Sequence, residues 1–315
     1  MKYLFFDIEC SNCFNGVGKM CEFGYVLTDD NFNTLKADDI PMSPGKGRGS
    51  KFNLKGRKYE KDLELAYEYE FYFEQPEFNH FYKQIKSLME DPDTICFAYS
   101  MNNDIAHLYH ACKRYGLEPI KYTCYDVQQF VAAYLDKKGQ MSLHNACKEI
   151  VGPSAIVQLH EHLSRDDAQM EKLIFETICM FSKKKPQELL EESKFARVDS
   201  IKHMSQRAER HKRKKMKEEG HKLYRTLLAS EEELDFAESK GKRYNISGEL
   251  KCHLPELNNV VEIIKSRGGI FSNHLSKTDY FIVFDEKNKE EIINTLETPL
   301  EGEILTYQEF LDLTK

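Results

Sequence analysis

The sequence predicts an α/β protein with two domains. Its 315 residues are enough for about two domains that each bury a core. Short apolar segments alternate with segments whose apolar residues recur at helical spacing, which is typical of an α/β sheet. A stretch rich in Lys, Glu and Arg separates this region from a shorter apolar one. We therefore expect a domain at 1–182, a charged helical connector at 183–240 and a small α/β domain at 241–315.

Three segments of the first region are predicted strands. Residues 3–6, YLFF, form an unbroken apolar run, which indicates a strand buried on both faces. Residues 21–30, CEFGYVLTDD, alternate apolar and polar side chains, as a half-buried strand does. Residues 94–100, TICFAYS, predict a further short buried strand.

Two amphipathic helices are predicted after these strands. From Asn103 to Tyr115 one helical face is apolar, and Gly116 ends the helix. Downstream of Arg165 a second helix has an apolar face of four residues. They are Met170, Ile174, Ile178 and Phe181.

The region after residue 240 repeats the pattern on a smaller scale. Apolar residues return in YNISGEL at 244–250. An amphipathic helix is predicted after this segment, and it ends at Gly268 and Gly269. DYFIVFD at 279–285 predicts a strand, and TYQEFLDL at 306–313 a last short helix. A compact domain of about 75 residues fits this segment.

Composition indicates a soluble protein of a reducing compartment. The hydrophobic fraction is 41%, mean hydropathy is −0.61, and no apolar run approaches the roughly 20 residues that span a bilayer. We see no secretory signal, and nine cysteines do not suggest a disulfide framework, so we expect reduced thiols and a cytoplasmic location. Cys10 and Cys13 have metal-site spacing, but no second pair follows at a zinc-site distance.

The charge distribution is compatible with a nucleic-acid partner. The net charge of −7 argues weakly against one, but basic residues gather in a loop at 44–58 and in the stretch 201–217. Arg213, Lys214 and Lys215 in the second cluster are candidate phosphate contacts. The alternative is a solvated, highly charged helix face.

Acidic side chains stand at the ends of several predicted elements. Asp7 and Glu9 follow the first strand, Asp104 starts the helix after 94–100, and Asp167 starts the later helix, five residues after His162. An Asp at a strand end can simply cap a turn. If these acids converge, however, an oxygen-rich cluster suits Mg²⁺ or Mn²⁺. Two such ions can activate water and stabilise the leaving oxygen of a phosphodiester.

The motifs that hold these acids carry a family resemblance. DIE at 7–9, NND at 102–104 and HLSRDDA at 162–168 together resemble the three exonuclease motifs of the DEDDh, or DnaQ-like, family, which includes the DNA polymerase III epsilon subunit. EFGYVLTD at 22–29 resembles the family's second strand. The resemblance covers about the first 180 residues. It implies an RNase H-like domain with a mixed five-stranded sheet, and a 3′–5′ exonuclease that releases 5′-mononucleotides.

The resemblance also implies a role for each residue. Asp7, Glu9, Asp104 and Asp167 would hold two divalent ions, and His162 would be the general base. His160 competes for the base role, but its fifth following residue is Arg165 rather than an acid. The chain has Ser100 and Asn103 where the family usually has Asn and Phe, and Ser164 where Ala is usual, so substrate contacts could differ there.

The C-terminal segment resembles a BRCT domain over nearly its whole length. ISGEL at 246–250, the Gly268–Gly269 pair, SKTDYFIV at 276–283 and LTYQEFLDL at 305–313 carry the likeness. Phe310 would fill the core position where such domains often have Trp.

The BRCT resemblance implies a phosphate site or a docking surface. Ser247, Gly248 and Lys289 would contact the phosphate, with Lys287 as an alternative to Lys289. The other interpretation is that the module only docks on a protein or on its own exonuclease.

The combined expectation is an exonuclease that acts on nucleic acid. DNA is favoured over RNA because BRCT modules occur mainly in repair and replication proteins. An exoribonuclease stays open, and so does a catalytically idle nucleic-acid-binding scaffold. We expect a possible protein partner at the BRCT module and no membrane association.

Overall fold

The computed structural model divides the chain into two units, Met1–Ser205 and Gln206–Lys315, termed unit 1 and unit 2. Most of the predicted basic loop and Cys13 fall outside the residues that the structure describes. The described residues are 1–11, 18–46, 65–137, 139–232, 241–296 and 300–315.

Unit 1 is built on one mixed sheet. Its strands are β1 Lys2–Cys10, β2 Met20–Asp29, β3 Thr34–Pro41, β4 Thr94–Ala98, β5 Thr123–Asp126 and β6 Arg197–Asp199. They lie in the order β3-β2-β1-β4-β5-β6. β1 pairs antiparallel with β2 and parallel with β4, so the predicted α/β class and mixed sheet are confirmed.

The predicted count of five strands is wrong, because the described part of this sheet has six. The additional strand is β6, which pairs antiparallel with β5 at the edge of the sheet. Two of its three residues are exposed, so it lacks the apolar alternation by which strands are recognised in a sequence. β6 lies within the predicted connector.

Helices cover both faces of this sheet. They are α1 Tyr69–Glu74, α2 Phe78–Met89, α3 Asn102–Arg114, α4 Val127–Leu135, α5 Leu143–Ile150, α6 Ser164–Ser182 and α7 Pro186–Glu192. α2 and α3 pack on the face that carries Leu4 and Phe6, and α4, α5 and α6 pack on the face that carries Tyr3 and Phe5. Residues 3–6 are fully buried, which confirms the predicted central strand.

The two helices predicted in unit 1 are present with small differences. α3 ends at Arg114, two residues before the predicted stop signal Gly116, whose backbone is left-handed with φ of 65°. Met170, Ile174 and Ile178 of α6 are buried in the core, and Phe175 of the same helix contacts Phe97 with ring centroids 4.6 Å apart. Phe181 is 58% exposed and does not belong to the packed face.

Unit 2 has a four-stranded parallel sheet in the order β10-β9-β7-β8. Its elements are α8 Ser200–Glu232, which begins in unit 1, then β7 Arg243–Ile246, α9 Leu254–Ser266, β8 Ile270–Phe271, β9 Tyr280–Val283, α10 Glu286–Thr295, β10 Glu303–Thr306 and α11 Tyr307–Leu313. Phe310 is 1% exposed in the core, as predicted. Tyr224 and Leu227 of α8 pack in the same core, so the predicted connector contributes to it.

The described cysteines are all buried. Within the described ranges, no helix combines the length and apolar character needed to cross a membrane.

Candidate active site

Asp7 and Glu9 lie at the carboxyl end of the central strand β1. They alternate with Ile8 and share the sheet face of Phe5, against which α6 packs. β2 places Gly24 opposite Asp7 and Glu22 opposite Glu9. A rigid central strand therefore presents both carboxylates toward the start of α6.

Asp104 reaches the same edge of the sheet from α3. β4 runs parallel to β1, so the carboxyl ends of the two strands meet at one edge, and α3 begins four residues after β4. The turn between them is held by Asp126, whose Oδ1 accepts a hydrogen bond from Ser100 N at 2.9 Å. Ser100 adopts the left-handed φ of 56° that redirects the chain into α3.

His162 and Asp167 complete the group from the start of α6. The Asp167 Oδ2 accepts a hydrogen bond from His162 N at 3.2 Å, and the imidazole Nδ1 lies 3.2 Å from Glu9 Oε1. His162 has a left-handed φ of 66°, which turns the chain just before the helix. One ligand atom each of Glu9, His162 and Asp167 lie within 4.8 Å of one another.

Three carboxylates of this cluster, those of Asp7, Asp104 and Asp167, are destabilised as anions. Burial, followed by the neighbouring charges of Glu9 and Asp104, raises the pKa of Asp7 well above its ordinary range. Burial also raises the pKa of Asp104 to about 7 and that of Asp167 to about 7, with Glu9 adding to both. The charge on each of the four carboxylates and on the His162 imidazole therefore depends on the charges of the others.

The cluster fits a divalent cation. Asp7 Oδ2 is buried and has no hydrogen-bond partner among the described residues. Carboxylate oxygens that converge are suited to hard cations such as Mg²⁺ or Mn²⁺. A bound cation would stabilise the anionic forms that burial disfavours.

A further acid, Glu171, lies one turn after Asp167 and was missed in the sequence. It is fully buried, and its Oε1 accepts a hydrogen bond from Tyr99 N at 2.8 Å, which links α6 to the end of β4. Its Oε2 has no partner among the described residues. Burial, then the charge of Asp104, raises its pKa well above the ordinary value. The sequence signal that could have identified Glu171 is its position next to the apolar Met170, one helical turn after Asp167.

A second missed acid, Glu22, holds the backbone that carries His162. It is fully buried, and its Oε1 accepts a hydrogen bond from Ser164 N at 2.7 Å, at the first residue of α6. Its Oε2 accepts one from the Tyr72 hydroxyl at 2.6 Å. Burial and the adjacent Glu22 raise the pKa of Asp39 to about 8. Glu9 and Glu22, opposite each other on neighbouring strands, therefore contact consecutive parts of the His162–Ser164 turn.

Gly24 allows this close approach of α6 to β2. A Cβ at position 24 would lie 2.0 Å from Arg165 N and 2.0 Å from the Ser164 carbonyl carbon. Only a residue without a side chain fits there. The sequence showed Gly24 only as part of a predicted strand.

The two histidines near α6 occupy different environments. His160 contacts Asp166, with Nδ1 3.2 Å from Oδ2, and its side chain is 78% exposed. His162 instead contacts Glu9 within the acidic cluster. The structure thus brings His162, and not His160, together with the predicted metal ligands.

The residues predicted to bind phosphate in unit 2 make contacts within the protein. Ser247 Oγ donates a hydrogen bond to Asn288 Oδ1 at 2.9 Å and accepts one from Leu250 N. Lys289 Nζ lies 2.7 Å from a carboxylate oxygen of Glu309. Ser247 and Lys289 therefore face different partners.

The predicted nucleic-acid contacts on α8 point in different directions. The Arg213 guanidinium binds both oxygens of Glu249, at 2.7 and 2.8 Å. Lys214 and Lys215 form loose ion pairs one turn along the helix, at 4.0 Å to Glu218 and 3.8 Å to Glu219. These three neighbours in sequence do not form one surface.

No family model matches this chain, and no curated protein does. Among solved structures, it is similar to E. coli exonuclease I in complex with a dA16 oligonucleotide, with TM-score 0.47 and 13% identity over 60% of this chain and 43% of that one. It is also similar to a 3′-exonuclease that recognises the histone mRNA stem-loop, with TM-score 0.45 and 12% identity over 59% of this chain and 83% of that one. A third is the nuclease domain of 3′hExo, a DEDDh family member, bound to rAMP, with TM-score 0.45 and 12% identity over 59% and 94%. The chain spans less than half of exonuclease I.

Proposed function

We propose that unit 1 is a divalent-metal-dependent 3′–5′ exonuclease that releases 5′-mononucleotides from nucleic acid. The observation that carries the proposal is the position of His162, whose ring contacts Glu9 while its backbone N–H donates to Asp167. A titratable base is thereby fixed beside buried carboxylates that favour a cation. This is the constellation that metal-assisted phosphodiester hydrolysis requires.

Asp7, Glu9, Asp104 and Asp167 would hold two ions, Mg²⁺ or Mn²⁺. When bound, such ions lower the pKa of water and stabilise charge on a phosphodiester. The protein supplies a fixed arrangement of oxygens on β1, α3 and α6, which needs little rearrangement to bind metal.

His162 is proposed to take the proton from the attacking water. Its Nδ1 faces Glu9, so Nε2 is the nitrogen that is available for this transfer. The hydrogen bond to Glu9 raises the pKa of His162 from its ordinary value and fixes the ring orientation. The side chain is 45% exposed, which leaves it accessible to water.

DNA is the proposed substrate, with RNA as the alternative. The experiment compares nucleotide release from 5′-labelled single-stranded DNA, duplex DNA and RNA of one sequence, with Mn²⁺ or with EDTA. We expect stepwise shortening from the 3′ end that requires metal and is lost in Asp7→Asn. Wild type no faster than Asp7→Asn on all three substrates would contradict the enzyme and favour the idle scaffold.

Unit 2 is proposed to be a BRCT-like module that docks on a DNA end or a protein. Its parallel sheet and buried Phe310 support a small, independently packed α/β core. A phosphate at Ser247 and Gly248 would have to compete with the Asn288 contact. Binding of a phosphoserine peptide by wild type, but not by Ser247→Ala, would support the phosphate site. Equal binding would leave only protein docking.

A further inference from the structure

The helix α8 has two faces with different chemistry in unit 2. The inner face carries Gly220, Tyr224 and Leu227, all of which are buried. Gly220 lies so close to the neighbouring segment that a Cβ there would be 1.9 Å from Lys251 O. Tyr224 donates a hydrogen bond to Ser272 O at 2.8 Å. These contacts fix the rotation of the helix about its axis, and hence which side chains face outward.

A line of basic residues follows one outward side of this helix. They recur at intervals of three or four residues, which at about 3.6 residues per turn places them on one side. Its members are Arg207, Arg210, Lys214, Lys217, His221 and Arg225. We call this set the basic stripe, and at about 1.5 Å per residue it is about 27 Å long. Arg210, Lys214, Lys217 and Arg225 are exposed, and the other two are half-buried.

The acids of the same helix segment fall outside the stripe. Glu209 lines a cavity of unit 2 together with the Arg213 and Glu249 pair, on the inner side. Glu219 pairs with Lys215, away from the stripe. Glu218 is the acid beside the stripe, at 4.0 Å from Lys214 in an exposed pair that contributes little. Glu209 and Glu219 therefore lie off the stripe, and exposed lysines such as Lys212 and Lys222 also lie on other sides of the helix.

The electrostatics of His221 agree with a positive potential along the stripe. Burial, and then the positive charges of Lys251, Lys217 and Arg225, lower the pKa of His221. A histidine surrounded by cations reports a positive local potential. Permanent cations at regular spacing are the feature that follows a nucleic-acid backbone.

We propose that the basic stripe of α8 binds the phosphodiester backbone of the nucleic acid on which unit 1 acts. This rests on the proposed function for the identity of the partner. The proposal replaces the sequence-based candidates Arg213, Lys214 and Lys215 with residues that share one side of the helix. Lys214 belongs to this set, whereas Arg213 and Lys215 do not. A membrane surface fits less well, because the large apolar side chains of this helix segment, such as Tyr224 and Leu227, pack inward and are not available for insertion.

The test compares two triple variants with the same change of charge on the same helix. The stripe variant is Arg210→Gln/Lys214→Gln/Lys217→Gln. The control variant is Lys202→Gln/Lys212→Gln/Lys222→Gln, whose three lysines are exposed and lie off the stripe. Circular dichroism checks that both fold. Binding to single-stranded DNA and RNA of about 30 nucleotides is measured in EDTA, so that no cleavage occurs, between about 50 and 300 mM salt.

We expect the stripe variant to bind about tenfold or more weakly at low salt and to lower the salt slope by about 2, since single strands lose about 0.7 per phosphate contact. The control should stay within about twofold of wild type. Equal losses of oligonucleotide affinity in both variants, or no loss in either, would contradict the proposed role of the stripe. Loss of binding to phosphatidylserine vesicles with unchanged oligonucleotide binding would also overturn it, in favour of a membrane partner.

A second readout separates this inference from the proposed enzyme. Hydrolysis of a dinucleotide, whose single phosphodiester leaves no further backbone for the stripe to bind, is measured in the same variants with Mn²⁺. If wild type does not hydrolyse any substrate but the stripe variant still loses oligonucleotide binding, the proposed function fails and the stripe stands. If wild type hydrolyses substrates and the two variants bind equally, the stripe fails and the enzyme stands.

Discussion

The contact between Gly24 and the start of α6 gives the sharpest test of how the site is assembled. Gly24→Ala adds a Cβ that would lie 2.0 Å from Arg165 N, whereas ordinary contact begins at 3.4 Å. The first turn of α6 must therefore move by about 1.4 Å, because its backbone has no flexible end that can yield. Asp167 lies on this turn and His162 lies two residues before it, so both would move with it.

A displacement of about 1 Å in a catalytic group can lower a rate by about 100-fold. We therefore expect Gly24→Ala to reduce kcat for nucleotide release by about 100-fold or more, and to lose about 1–3 kcal/mol of unfolding free energy through overpacking. Nucleotide release with Mn²⁺ measures the first quantity, and urea unfolding measures the second. Isothermal titration with Mn²⁺ should also show weaker binding, since Asp167 moves away from Asp7.

The matched control removes stability without moving α6. Ile85→Val truncates a fully buried side chain on α2, in the core on the other face of the sheet. It should lose about 0.5–1.5 kcal/mol and keep its activity. A folded Gly24→Ala protein with activity within about threefold of wild type would refute the claim that this contact sets the position of the site.

Three further changes test other groups. His162→Ala should reduce nucleotide release by about 10²–10⁴-fold with little change in Mn²⁺ affinity, while His160→Ala should leave both near wild type; equal activity of His162→Ala and wild type would remove the base. Burial lowers the pKa of Lys251 from 10.5 to about 8, so the unfolded state binds more protons between these values and stability should rise with pH across them. At pH 7 the unfolding free energy of Lys251→Met should exceed that of wild type by about 2–3 kcal/mol. Urea unfolding at several pH values should show this difference becoming smaller toward pH 10. Glu171→Gln keeps an acceptor for Tyr99 N but removes a buried acid, so it should raise the melting temperature without metal and reduce the further rise on adding Mn²⁺; a lower melting temperature without metal would contradict this.

The parts of the fold that sequence reasoning found are those with a strong apolar pattern. Residues 3–6 read as a buried strand because every side chain is apolar, and in the structure all four are fully buried. The helix that starts near Asp167 was visible from its apolar face. Once both elements were placed, the acids at their ends could be predicted to meet.

The residues that sequence reasoning missed are those whose role depends on a neighbour distant in the chain. Glu22 is an acid within an otherwise apolar strand, and only the approach of Ser164, 142 residues later, explains it. Gly24 is explained by the same approach. Periodicity describes one element at a time, so it does not reveal a contact between β2 and α6.

The same limit applies to charge. Arg213, Lys214 and Lys215 look like one basic cluster in the sequence, but successive residues of a helix are turned by about 100° from each other. The structure shows that Arg213 belongs to the inner side, where it pairs with Glu249. Which side of the helix faces outward is fixed by the contacts of Gly220 and Tyr224, and these become informative only when the helix is seen against its neighbours.

The geometry around α6 explains how the chain just before this helix can hold the His162 imidazole close to several acids. Glu9, Glu22 and Asp167 each accept a hydrogen bond or face a ring nitrogen in the turn from His162 to Ser164. Ser164 N–H is at the first residue of a helix, where such groups lack partners and the helix dipole favours negative charge, and His162 N–H lies just before it. The turn is therefore stabilised by the acids that would otherwise repel one another. Because Glu22 holds the turn and Glu9 contacts the ring, the proposed base His162 would already be in position when the proposed ligands Asp7 and Asp104 bind metal.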